Sequence, residues 1–133
     1  MNKDTWQEFQ TLKQHGWQPQ RHNQVRFNGG SETVKHSVAK MLVAHAGSQA
    51  GYRVASEVTH ETRGDIDVLL YGHTDRLTLA VEVETSPTDD VIQDKVDRYI
   101  RDTPIDDLAL VNVSTLPTEM LDAYGEIKEV LGL

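Results

Sequence analysis

Apolar residues recur along this chain with two different periods, and the points where the period changes divide it into elements. Trp6, Phe9 and Leu12 fall three apart and predict a short helix over 4–15, stopped by Gly16. Residues 17–27 (WQPQRHNQVRF) are polar and broken by a proline, which predicts an irregular or weakly extended segment before a turn at Asn28-Gly29-Gly30. Ser31 suits an N-cap, and Val34, Val38, Met41, Leu42 and His45 follow at helical spacing to Gly47. The period then shortens. Residues 51–61, with Tyr52, Val54 and Val58, read as a strand, and Arg63-Gly64 turns the chain into a second strand, Ile66 to Tyr71. A hairpin turn at Gly72-His73-Thr74-Asp75 leads to a third strand, Leu77 to Glu84. After Pro87, Thr88 or Asp89 caps a helix over about 90–101, with Val91, Ile92, Val96, Tyr99 and Ile100 inward. Leu108 to Val113 predicts a buried strand. Pro117 opens a closing helix to Leu131, with Met120, Leu121, Tyr124, Ile127 and Leu131 apolar.

This order predicts an α/β fold with helices covering a mixed sheet. The 133 residues suit one domain, divided into an N-terminal extension (1–30), a core (31–113) and a C-terminal helix (117–131). No cysteine is present, which excludes disulfides, thiolate zinc sites and cysteine nucleophiles. No apolar run approaches the ~20 residues of a membrane helix. The polar N-terminus lacks a secretory signal, so a cytoplasmic location is expected. The net charge of −8 argues against a broad basic face for nucleic acid, although carboxylates that hold cations also count as negative charge.

The chemistry-bearing residues concentrate between 65 and 84. Side chains of a strand alternate between faces, so Asp65 and Asp67 are expected to share one face, as are Glu82 and Glu84. A tight hairpin would bring the four carboxylates together, with Ile66, Val68, Val81, Val83 and Thr85 mostly on the other side. Such a cluster repels itself unless a cation such as Mg²⁺ or Mn²⁺ compensates it. The same alternation also suits two ordinary strands with an acidic solvent face, but Glu82 and Glu84 are embedded in the apolar run LTLAVEV. If an ion is shared, a carboxylate of Asp65 or Asp67 falls within about 5–6 Å of Glu82, since divalent cations take oxygens at roughly 2.0–2.6 Å.

Other constellations are weaker. His15, His22, His36, His45, His60 and His73 form no metal-ligand spacing and read as structural or solvent residues. Gly29-Gly30-Ser31-Glu32 lacks the ending of a phosphate loop. Ser86, Ser114 and Thr115 have no evident base. Glu57 and Glu61 read as solvent-exposed strand residues.

Gly64-Asp65-Ile66-Asp67-Val68, a hairpin, then Val81-Glu82-Val83-Glu84 resembles the PD-(D/E)xK nuclease superfamily, which includes archaeal Holliday-junction resolvases and many restriction endonucleases. The likeness covers residues 31–113 in that family's αβββαβ order. It implies a restriction-endonuclease-like core and a Mg²⁺- or Mn²⁺-dependent endonuclease acting on duplex or branched DNA as a homodimer. Asp65, or in competition Asp67, matches the motif aspartate, and Glu82 matches the second acidic ligand. Glu84 stands where the family usually has lysine, a position at which some restriction enzymes carry glutamate and remain active. Glu32 lies where several branches place a metal-reaching glutamate, and it also suits a helix N-terminal carboxylate. Lys95 and Tyr99, four apart on one helix face, look like the Gln-x-x-x-Tyr pair of the exonuclease branch, with lysine in place of glutamine. The other reading of the pair is a solvent lysine beside a core tyrosine.

The resulting expectation is metal-assisted phosphodiester hydrolysis. Asp65, Asp67, Glu82 and Glu32 are metal-ligand candidates, and Glu84 or Lys95 orients the attacking water. Lys35, Lys40, Arg53, Arg63, Arg98 and Arg101 are candidates for DNA-backbone contacts. The rivals are a catalytically silent nuclease-fold module that binds DNA or protein, and an acidic interaction protein without metal.

Overall fold

The computed structural model describes residues 1–27 and 32–133. The expected Asn28-Gly29-Gly30 turn and the Ser31 cap lie outside the described residues. Helix α1 (Lys3–Gln14) is capped by Asn2, whose side chain accepts the Thr5 N–H, and it buries Phe9 and Leu12. Trp6 stays 41 % exposed. Within the segment expected to be irregular, Trp17–Gln18 forms a short edge strand, β1. Its two residues are too few for any periodicity, and its pairing depends on a distant partner. Helix α2 (Val34–Gln49) is capped by Thr33 and runs past Gly47. That glycine does not stop the helix. A Cβ there would lie 2.5 Å from a Leu70 methyl, so its role is close packing against the sheet.

Strands β2 (Arg53–His60), β3 (Gly64–Tyr71), β4 (Leu79–Glu84) and β5 (Asp107–Asn112) complete one five-stranded sheet in the order β1-β2-β3-β4-β5. Neighbours pair antiparallel except β4 and β5, which are parallel. Helix α3 (Asp89–Tyr99), capped by Thr88 and carrying Asp89 and Asp90 in its first turn, provides the crossover between those parallel strands. Helix α4 (Met120–Leu131) begins three residues after Pro117, with Glu119 as its cap. The result is an α/β architecture, a mixed sheet flanked by four helices.

Two apolar layers sandwich the sheet. On one face Leu42 and Val43 of α2 and Ile127 and Leu131 of α4 pack on Val54, Val68, Leu70, Val81 and Val83. On the other, Phe9, Leu12, Trp17 and Tyr99 pack on Ala55, Val58, Ile66, Leu69, Tyr71 and Ala80. The N-terminal extension thus supplies part of the second layer. Several expected inward positions turn out instead: Val34, Met41, Val91, Met120 and Leu121 are exposed. On α4 the buried stripe is Ala123, Ile127 and Leu131, so Met120 and Leu121 precede the turn that meets α2.

Strict alternation fails once, in two strands together. Val68 and Leu70 face the α2 layer, yet Ile66 joins Leu69 and Tyr71 in the other. In β2, Val58 and Ala55 share a layer although they are an odd number of residues apart. Between these positions stand Glu57 and Asp67, opposite each other in the register fixed by Ser56↔Val68 and Val58↔Ile66. Glu57 adopts φ 47°, a left-handed conformation uncommon outside glycine, asparagine and aspartate. This local reversal positions the candidate site.

Candidate functional site

The β3–β4 ladder pairs Val68 with Val81 and leaves Asp67 facing Glu82 one step further on. There side chains replace backbone rungs. The Asp67 N–H donates to Glu82 Oε2 at 2.7 Å, and the Val83 N–H donates to Asp67 Oδ2 at 2.8 Å. Each carboxyl therefore caps the opposite strand where the two strands part. From α3, the Lys95 ammonium reaches Glu82 Oε1 at 2.7 Å and Glu84 Oε1 at 2.9 Å. Lys95 and Tyr99 are both buried, and the Tyr99 hydroxyl donates to the Asp65 carbonyl at 2.8 Å.

Electrostatics follow from this enclosure. Glu82 is 2 % exposed. Burial, and next the Asp67 carboxylate, push its pKa up to about 8 against the pull of Lys95. Burial also raises Asp67. The Val83 N–H pulls it back, Glu57 adds to the rise, and a hydrogen bond with Glu82 and the charge of Lys40 lower it. For Lys95, burial favours the neutral amine, but Glu82 and Glu84 outweigh it and hold the ammonium above its usual range. Burial and then Glu82 raise the Tyr99 hydroxyl.

On the α2 side of Asp67 lies a second ionic group. Lys40, 2 % exposed, donates to Glu57 Oε1 at 2.5 Å, to the Arg26 carbonyl at 2.7 Å and to Glu32 Oε2 at 3.2 Å. Ser37 also donates to Glu32. Asp67 stands opposite Glu57 in the β2–β3 register and feels the charges of Glu57 and Lys40.

The structure brings together Asp67, Glu82, Glu84 and Lys95, and it separates Asp65 from them. Asp65 lies beyond the break in alternation, is exposed, and its side chain makes no hydrogen bond or ion pair among the described residues. Glu32 points to Lys40. Glu57, expected in solvent, is instead a partner of that buried lysine. Its left-handed backbone carries no sequence signature, and only an unpaired lysine on the apolar face of α2 could have suggested it. Glu61 is exposed, as expected.

Comparison of the chain with known protein families, curated proteins and solved structures finds no match.

The basic residues expected at DNA are unevenly disposed. Lys35 is exposed. Arg98 and Arg101 lie at the surface in ion pairs with Asp94 and Asp97. Arg63 donates to the Arg98 and Arg101 carbonyls and thereby caps the end of α3. Arg53 donates to the Arg21 carbonyl. Lys40 is enclosed, its three donors already engaged. No helix among the described residues is long and apolar enough to cross a membrane.

As a cation site, the set is a carboxyl pair with flanking glutamates. No group of three or more His, Asp or Glu residues is arranged around one point among the described residues. Mg²⁺ is commonly held by one or two carboxylates, with water and substrate phosphate completing its shell. Asp67 and Glu82 fit that requirement. Burial, and next the neighbouring Asp67 carboxylate, raise the pKa of Glu82, so the pair carries its charge at a cost.

Proposed function

We propose that this chain is a divalent-metal-dependent DNA endonuclease of the PD-(D/E)xK type, with a restriction-endonuclease-like core. The observation that carries the reading is the Lys95 ammonium bridging Glu82 and Glu84 from α3. The strand position where the resembling family has lysine holds Glu84, and Lys95 supplies from a helix the positive charge missing there. Asp67 and Glu82 are the residues that would hold Mg²⁺ or Mn²⁺. When bound, that ion polarises the phosphate and lowers the pKa of an attacking water. Lys95 keeps its proton and so steadies negative charge developing on the phosphate. Glu84, with its side chain 31 % exposed, is the acceptor best placed to take a proton from solvent water. Exposed Lys35 and the Arg98–Arg101 surface contribute backbone contacts. Because such cations are few in a chain of net charge −8, two copies acting as a dimer would enlarge the basic surface.

One observation favours a second reading, a silent module that binds DNA or protein: both Glu82 oxygens already have protein partners. Cleavage of supercoiled plasmid and branched DNA with Mn²⁺ separates the two. In an active enzyme Lys95→Ala lowers the rate by about 10²–10⁴, and Glu84→Gln does so if the glutamate is the base. Absence of cleavage on every substrate, together with activity appearing in Glu84→Lys, establishes the silent module instead.

A further inference from the structure

Lys40 combines burial with full saturation. All three protons of its ammonium have oxygen acceptors: Glu32, Glu57 and the Arg26 carbonyl. Its charge is met by the carboxylates of Glu32 and Glu57, and Asp67 stands opposite Glu57 across the β2–β3 register. The left-handed turn at Glu57 is the local feature that accompanies its pairing with α2. An oxygen-rich setting of this kind, carboxylates plus a backbone carbonyl, is what a hard divalent cation takes. The ammonium already fills it.

We infer that Lys40 is a resident cation, a charge-compensating and positioning residue that occupies the cation position between Glu32, Glu57 and the Arg26 carbonyl. The site then offers a single exchangeable divalent position, on the Glu82 side of Asp67. This inference deepens the proposed function and rests on it only for the native protein's own ion. Lys40 does not touch substrate. Its effect is to hold the α2-side carboxylates neutralised, so that they neither capture a second ion nor swing toward the first.

The test is calorimetric titration of the full chain with MnCl₂, with thermal melts in chelator and in Mn²⁺. The native protein should bind one ion, Lys40→Ala two, and Lys40→Ala/Glu57→Gln one again. In chelator Lys40→Ala should melt lower than native, and Mn²⁺ should restore it more than it raises the native protein. If native binds none and Lys40→Ala binds one, the resident-cation inference stands and the metal-dependent reading falls. If both bind one, the inference is overturned and the reading stands, and two ions in the native protein likewise overturn it. If neither binds, both fall. Should Lys40→Ala fail to fold in chelator, refolding on Mn²⁺ addition supports the inference. Failure to fold at every Mn²⁺ concentration overturns it, because the lysine would then have a role that no ion replaces.

Discussion

Replacing Glu82 by glutamine should change how stability responds to pH, and the size of the change follows from its surroundings. In the fold Glu82 titrates at about 8, against 4.5 for a free glutamate. The folded state thus binds this proton more tightly than the unfolded chain. The associated stability is fully present below pH 4.5 and is lost as pH rises toward 8. Between pH 5 and pH 8 the loss amounts to roughly 3–4 kcal/mol, at about 1.4 kcal/mol per unit of differential titration. With Glu82 2 % exposed, solvent screening does little to reduce it. Lys95, held above its usual range, keeps its proton across the window and adds no slope. Asp67, shifted in the same direction, is present in both proteins. The assay is urea unfolding in chelator at pH 5, 6, 7 and 8, followed by the fluorescence of buried Trp17 and by circular dichroism. Glu82→Gln should unfold more easily than native at pH 5 relative to pH 8, the gap shifting in the variant's favour by that amount. A gap that stays constant across the range would refute the argument.

Two further substitutions probe the supports of the site. Gly64 has φ 95°, and a Cβ there would lie 2.7 Å from Arg98 Nη1 and 3.5 Å from the Tyr99 hydroxyl. Gly64→Ala should therefore lower stability by about 1–2 kcal/mol, the usual cost of a left-handed conformation in an L-residue, and a denaturant melt equal to native would exclude that strain. Tyr99→Phe removes the hydrogen bond to the Asp65 carbonyl and should cost about 1 kcal/mol, with Mn²⁺ affinity unchanged. Cleavage falling as far as in Lys95→Ala would place the Tyr99 hydroxyl in the chemistry itself.

The long elements were legible because their apolar spacing is sustained. Helix α2, β3, β4, α3 and β5 all appear where periodicity puts them, with ends displaced by at most three residues. Asp67, Glu82 and Glu84 were also legible as candidates, since carboxylates embedded in apolar strands leave a sequence trace, and Lys95 was reached through the resemblance of Lys95-x-x-x-Tyr99 to the exonuclease pair. What stayed hidden depends on contacts distant in sequence. The edge strand Trp17–Gln18 pairs with Thr59 and His60 across more than forty positions. Asp65 and Asp67 share a face only where alternation is unbroken. The reversal at Glu57 and Asp67 separates them, and no local rule marks a glutamate for positive φ. Lys40 read as a surface cation because lysine is rarely buried unless paired, and its partners come from the loop before α2 and from β2.

The ladder between β3 and β4 ends in rungs made of titratable groups rather than peptide carbonyls. Hydrogen exchange at the Asp67 and Val83 amides is therefore tied to the protonation and ligation of the Asp67 and Glu82 carboxyls. On the proposed metal-binding reading, a cation that drew those oxygens away would leave two amides to seek water, and the fork between the strands would loosen as the ion entered. Affinity for the ion and fraying of the sheet at this point are then two views of one equilibrium. Anything that stiffens the fork between the strands would weaken binding without touching a ligand.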